Sequence, residues 1–417
     1  MRVRGQLLAI LCAGLLAALP AGPAVEHVPV SGPAAARAPA AAPADLAVRF
    51  EALLGQHSIL AADLMRSRIR GDDDFVQAAN AALTKNTDAM TALLRDLFGA
   101  ATAKAFAPKW AEHIVALVAY ASALAAQDDA ARADAREELV EYEEELAEFF
   151  AAASKGRLPL AGARAAVVQH VGHLTDQADA YAKRDYATAD QLYRAGYQHT
   201  YDLGLALSNA LLPARDVATL RQPLWRLRSQ LGKLLAEHAV LVEDVTRAAV
   251  TGSPDFDASA EMINGNTRDL TAAMDTLFGA RAARQFQSVW GDHVEQLVAY
   301  ASAAAARDAG RQQRVRTELD EIERRMAAFL AVATGRRMGP ADLAAALHQH
   351  DEMLLRHADA YAARDFATAH NVAYDTYENM FELARRLADA FGATVAARLP
   401  RGGAQTGYGG LATAEHR

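Results

Sequence analysis

Trp110-Ala-Glu-His113-Ile-Val-Ala-Leu117-Val-Ala-Tyr120-Ala-Ser122 is written into this chain twice, returning as Trp290-Gly-Asp-His293-Val-Glu-Gln-Leu297-Val-Ala-Tyr300-Ala-Ser302. In both copies Trp, His, Leu and Tyr follow one another at steps of three and four, a spacing that gathers them on one face of an α-helix. The rest of that face is apolar. Each copy therefore aims a histidine at a core.

The same periodicity extends outward from this stretch and predicts helices over Leu46–Arg70, Phe75–Phe98, Ala101–Ala126, Ala130–Ala153, Leu160–Lys183 and Ala187–Leu211. No segment alternates with period two as a half-buried strand would. Gly71-Asp-Asp-Asp74, Gly99, Gly156 with Pro159, and Asp185 supply the breaks and caps. In the second half they are matched by Gly252-Ser-Pro-Asp255, Gly279, Asp308-Ala-Gly310, Gly335 through Pro340, and Asp365. Matching positions differ by 181 along the first helix and by 180 afterwards, so the second half lacks one residue between Phe256 and Asn266. The reading is an all-α chain of two tandem up-and-down helical bundles of about six helices each, over residues 45–212 and 213–396. Leu211-Leu-Pro213-Ala-Arg-Asp216 forms the junction, and Pro223 is expected to kink the start of the second unit.

Composition bounds what surrounds this body. With 417 residues, 52% of them hydrophobic, the chain can bury two sizeable cores. Arg2 and Arg4, an apolar run from Leu7 to Leu19 and small residues through Ala24 have the layout of a secretory signal peptide over residues 1–24. The run is shorter than the roughly 20 residues that cross a bilayer, so cleavage is preferred and an uncleaved N-terminus is the one membrane attachment expected. Residues 25–44 read as an Ala/Pro linker, and residues 397–417 as a loose Gly/Ala tail. The expected location is extracytoplasmic, secreted or in the cell envelope. The one cysteine, Cys12, falls inside the signal segment, which leaves the folded part without disulfide, thiolate metal site or cysteine nucleophile. A net charge of −8 without a basic run argues against nucleic acid as a partner.

Polar residues kept on apolar faces in both halves carry the functional information. His57 pairs with His238, His113 with His293, and His170 with His350, so each half sends one imidazole inward from its first, third and fifth helices. An unsatisfied polar group buried in an apolar core costs about 1–3 kcal/mol, so three imidazoles in one bundle need a shared solution. A transition-metal ion held by three neutral ring nitrogens is such a solution. His173 or His199 is the candidate fourth ligand in the first half and Met353 in the second, where Asn379 replaces His199. Asn86, Asn266, Tyr120 and Tyr300 are placed behind the ligands as groups that orient them. His348 and His357 occur in one half only.

A second solution is a hydrogen-bonded network in which His, Asn86 and Tyr120 satisfy one another without an ion. The chain would then be a structural or interaction module displayed at the cell surface. A haem carrier or metalloenzyme using the same cavity is a third reading, since three protein ligands and an open position also make a catalytic metal site. Sharper chemistries lack their motifs: Glu-x-x-His, Cys-x-x-Cys-His, His-Glu-x-x-His, a phosphate-binding glycine loop and Gly-x-Ser-x-Gly are all absent. Asp63 and Asp244 lie six residues beyond the first-helix histidines, on another side of the helix, and are not read as ligands.

His57-(x)5-Asp63, Asn86-Thr87, Phe98-Gly99, Trp110-x-x-His113, His170-x-x-His173-Leu174 and Tyr197-x-His199 together resemble a group of secreted bacterial tandem helical-repeat proteins, some labelled copper amine oxidase-like. The resemblance covers residues 46–211 and 225–392, with Met353 and Asn379 as departures in the second half. It implies secretion and copper. It does not imply amine oxidation, because catalytic copper amine oxidase domains are β-rich and mature a tyrosine in an Asn-Tyr context that this chain lacks. The reading is thus a secreted helical protein binding a transition metal, copper foremost, for sequestration, delivery or sensing and without an assigned enzymatic activity.

Overall fold

Asp74 and Asp255 show how the two halves of the chain meet, because each is bound by a tyrosine from the other half. The computed structural model describes residues 42–77 and 81–398. The signal segment and nearly all of the linker and tail read above lie outside the described residues.

The described chain is all-α. In the first half α1 spans Pro43–Arg70, α2 Asp74–Gln77, α3 Leu83–Phe98, α4 Ala100–Ala126, α5 Asp129–Ala153, α6 Leu160–Ala182 and α7 Tyr186–Leu211. A short α8, Ala214–Leu220, leads into α9 Pro223–Thr251, α10 Phe256–Phe278, α11 Ala280–Ala305, α12 Ala309–Ala333, α13 Pro340–Ala362 and α14 Phe366–Arg398. Asp128, Asp185 and Asp308 cap α5, α7 and α12 by accepting hydrogen bonds from the backbone N–H three residues on. Gly99 and Gly279, with φ of 91° and 85°, turn the chain between α3 and α4 and between α10 and α11.

Three expectations change. Pro223 does not kink a helix; it occupies the first turn of α9, where its missing N–H has no intrahelical partner to lose. Pro43 likewise opens α1, inside the stretch read as linker. The third concerns the helix expected from Phe75 to Phe98: its α-helical geometry does not hold throughout the described residues, since α3 starts only at Leu83, with residues 78–80 outside the described ones, whereas its counterpart α10 runs unbroken from Phe256 to Phe278. A π turn at Ala81–Ala82 precedes α3. Widening a helix to i→i+5 bonds absorbs one extra residue, and the first half is the one that carries it.

α1 and α9 are the central helices. From Phe50 to Met65 nearly every residue of α1 is buried, polar ones included. α1 packs chiefly on α7, α9 chiefly on α14, and α1 and α9 touch each other. Close approach of α1 to α7 requires Gly204, since a Cβ there would stand 2.6 Å from the Glu51 Cα. One apolar cluster runs from Phe50 and Leu53 through Trp110 to Val240, Tyr300 and Tyr377, so residues 42–398 form one compact body with a partly shared core.

The seam between halves is ionic. Tyr181 donates to Asp255 at 2.8 Å, and Tyr361 donates to Asp74, which also binds His370. Within the halves, beside these crossing contacts, Arg247 pairs with Asp244 and Asp255, both at 2.8 Å, and Arg66 with Asp190 at 2.8 Å. A cavity of about 60 Å³ lies among Asp63, Asp74, Glu243, Asp244, Arg247 and His357. Small-molecule sites usually measure some 300–1,000 Å³, so this is a packed polar seam and not a substrate pocket.

Glu243 faces that cavity with its carboxyl pushed up to about 8 by burial. The folded state therefore keeps a proton that the unfolded state releases above pH 4.5, and this contribution, complete below pH 4.5, is lost as pH rises through 8. Glu243→Gln should gain stability relative to the parent on going from pH 5 to pH 8, on the order of 2–4 kcal/mol. Melting curves of both proteins at the two pH values test it; a difference that does not change with pH refutes the assignment.

Candidate metal centre

Three helices of each half deliver one imidazole apiece to a common point. His57 comes from α1, His113 from α4 and His170 from α6; His238, His293 and His350 come from α9, α11 and α13. Within each triad one ligand nitrogen per ring lies within 4.8 Å of those of the other two. The rings of the first triad are 5.0, 5.8 and 6.3 Å apart, and those of the second 5.6, 5.6 and 5.9 Å. All six side chains are buried. Trp110, stacked on Phe106, lies against His57 at 4.3 Å, and Trp290, stacked on Phe286, lies against His238 at 4.5 Å. The repeated Trp-x-x-His stretch thus supplies both a ligand candidate and the wall beside it.

Hydrogen bonds orient the first triad. His113 Nδ1 is 2.5 Å from the Trp110 carbonyl, which can only accept, so Nδ1 carries the proton and Nε2 presents its lone pair to the centre of the triad. His170 Nδ1 lies 3.0 Å from Thr200 Oγ1, whose own hydrogen goes to the Gly196 carbonyl at 2.7 Å. His170 Nδ1 is therefore the donor there, and its Nε2 has no partner. His57 Nε2 sits 3.0 Å from His113 Nε2, a contact in which His57 is the donor, and His57 Nδ1 is unpartnered. In the second triad both nitrogens of His238 and of His350 lack partners, as does His293 Nε2. Nearly all buried polar groups in proteins are hydrogen-bonded, so these unpartnered ring nitrogens in an apolar core mark positions where a guest could bind.

Burial holds every one of these imidazoles neutral. His113 is lowered to about 3 and His293 to about 4, by desolvation in each case, and the other four lie well below the ordinary histidine value through burial and then through neighbouring histidines. Neutral imidazole is the metal-binding form. The two groups can hold a metal ion.

Other residues singled out from the sequence fall elsewhere. His173 and His199 face each other at 5.4 Å, outside the first triad, and His199 Nε2 donates to the Ala166 carbonyl. Met353 is half-buried on α13, one turn from His350. Asn86 does not touch a histidine: its amide donates to the Leu53 carbonyl and to Gln56 Oε1, which ties α3 to α1. Asn266 does the same with the Leu234 carbonyl and Glu237. Tyr120 donates to Asp179 and Tyr300 to Asp359, toward the surface end of their helices. The network of His, Asn86 and Tyr120 expected as the ion-free alternative is therefore not formed. His357 belongs to the seam.

A third group escaped the sequence reading. Asp320, Glu323 and His348 also bring three ligand atoms within 4.8 Å of one another, and beside them Asp351 is buried with its carboxyl pushed well up by desolvation and by Glu323. His293 Nδ1 lies 3.4 Å from Asp351 Oδ1. A search for polar residues kept in both halves discards this group, because Val140, Val168 and Val171 occupy the corresponding positions of the first half.

No protein-family model, curated protein or solved structure matches this chain. Among the described residues no helix is long and apolar enough to cross a membrane.

Proposed function

We propose that the protein binds a transition-metal ion in each histidine triad and serves to sequester, deliver or sense it outside the cytoplasm. One observation carries the reading: twice in one chain, three neutral imidazoles from three helices converge in an apolar core with unpartnered nitrogens. Imidazole donors suit copper, zinc, nickel and iron. Copper in its monovalent state fits the first triad best, because no carboxylate stands among the donors there and a single buried charge costs far less than a double one. Export is supported by the charged-then-apolar N-terminus, and the metal reading is consistent with the family resemblance noted in the sequence.

Copper amine oxidation is not part of the proposal. The ion would supply Lewis acidity or a redox couple, while the chain's own residues hold it, fix the ring tautomers through Trp110 and Thr200, and exclude water.

The test is metal content. The protein without its first 24 residues, loaded anaerobically with Cu(I) or aerobically with Zn(II), is expected to retain one ion per triad after desalting. His113→Ala should remove one and His293→Ala another. A metal content that neither substitution lowers would falsify the proposal.

A further inference from the structure

The two triads differ in what lies between them and solvent. In the first half, Tyr142 stacks on His113 at 4.6 Å with its plane 10° from the ring, and Val171 is fully buried next to His170. On the surface above stand Val140 and Val168, 48% and 38% exposed. Glu143, the counterpart of Glu323, is bound by Arg136 at 2.7 Å. That triad is sealed by hydrocarbon.

In the second half the same four positions are Ile322, Asp351, Asp320 and His348. Replacing the tyrosine by Ile322 opens a small cavity beside His293 and His350, which Glu323 and Asp351 also line. Glu323 is released from the arginine, because Arg316, which corresponds to Arg136, turns to Glu352 and Tyr300. His348 Nδ1 instead sits 3.2 Å from Glu323, and Asp320 3.8 Å from His348. Behind them Asp351 is 2% exposed, and no cationic, amide or backbone donor reaches its oxygens; its one hydrogen-bond neighbour is the Glu323 carboxyl. Two buried carboxyls facing one another with no arginine or lysine between them have room for one positive charge, which a cation can supply in place of a shared proton. The unbroken sequence of His348 and Asp320 at the surface, Glu323, Asp351 and then His293 is therefore a line of donors from solvent to the buried triad.

We propose that Asp320, Glu323 and His348 form a second, solvent-facing site for a divalent transition metal, and that Asp351 connects it to the His238–His293–His350 triad as the route by which that triad is filled. One imidazole and two carboxylates make a harder donor set than three imidazoles, suited to Zn(II) or Co(II). The outer site stands on its own residues; only the filling route rests on the triads binding metal.

Cobalt(II) is the probe, its visible absorption reporting ligand number and its bound amount measured by equilibrium dialysis on the full folded chain. The parent is expected to bind three ions, and D320V/H348V, which installs the residues of the first half, two. D320N/H348Q gives the same count without adding apolar surface. His238→Ala with His350→Ala removes a different ion and leaves the outer one. Asp351→Val, and independently Asp351→Asn, should slow filling of the second triad at least tenfold while the outer site fills normally. An ion count unchanged by both outer double substitutions overturns the outer site, and unchanged filling in both Asp351 variants overturns the route. Should the triads bind nothing, the parent would hold a single ion that D320V/H348V abolishes, so the two proposals fail separately.

Discussion

Saturating the ion-free protein with its metal is expected to raise the melting temperature by on the order of 10 °C. An ion that binds the folded state alone stabilises it by about 4 kcal/mol when free metal stands a thousandfold above Kd, and two independent triads double that. For a chain of this length each kcal/mol moves the midpoint by roughly 1–3 °C. His113→Ala should remove about half of the rise. His238→Leu makes a sharper test, because it separates binding from packing. Both nitrogens of His238 are orphaned in a fully buried position, and replacing them with hydrocarbon should raise the stability of the ion-free protein by about 1–3 kcal/mol while lowering the metal-dependent gain. Histidines that serve only the fold give the opposite pattern: metal does nothing, and the leucine variant is destabilised. Differential scanning calorimetry with and without metal distinguishes the two.

The helices and the triads were legible in the sequence for the same reason. Leu53, His57, Leu60 and Leu64 share the 3.6-residue face of one helix, so whatever buries the leucines buries the histidine. Trp110 and His113 obey the same rule on another helix. Convergence of the triads followed from three such faces sharing one core. What the residues behind the ligands touch was not legible in this way. Asn86 lies on an apolar stripe, yet a stripe does not say whether its amide meets an imidazole or a carbonyl; Leu53 and Gln56 on the adjacent helix reach it first. Tyr120 shares the face of His113 but is two turns further along, where Asp179 meets it near the surface. Met353 and His173 are one turn from a ligand, a spacing that fits neighbours on a helix whether or not they reach the same centre. The seam shows the opposite limit. Asp63 and Asp244 were correctly set off the histidine face, but nothing local indicates that the side they occupy is buried against the other half of the chain. Asp320, His348 and Asp351 were legible in principle, as the place where one half writes three valines and the other writes donors.

Removing Asp190 should cost about 3–5 kcal/mol, among the largest losses available to a single substitution in this chain. Arg66 is 1% exposed, its guanidinium 2.8 Å from Asp190, with Nε donating to Gln177 at 2.9 Å and the faces of Tyr193 and Tyr181 at 4.4 and 5.0 Å. Guanidinium cannot shed its charge, so Asp190→Leu leaves a cation in the core with only aromatic faces, an amide and more distant acids around it. The reverse deletion is milder. The Asp190 carboxyl is already pushed up by burial, more than Arg66 pulls it down, so in Arg66→Met it can take up a proton and become neutral. The sign of the pH dependence follows: a carboxyl raised in the folded state contributes stability at low pH and loses it as pH rises through its folded value. Arg66→Met should therefore lose more at pH 8 than at pH 5, while Asp190→Leu, which deletes the titrating carboxyl, loses less at pH 8 than at pH 5. The double variant Arg66→Met with Asp190→Leu replaces two buried charges by hydrocarbon of similar volume and should recover more than half of the Asp190→Leu loss. Urea titrations of the four proteins of this cycle give the coupling directly. Additive losses would mean that Arg66 answers chiefly to the tyrosine rings and Gln177, and that the seam is held by packing instead of by charge.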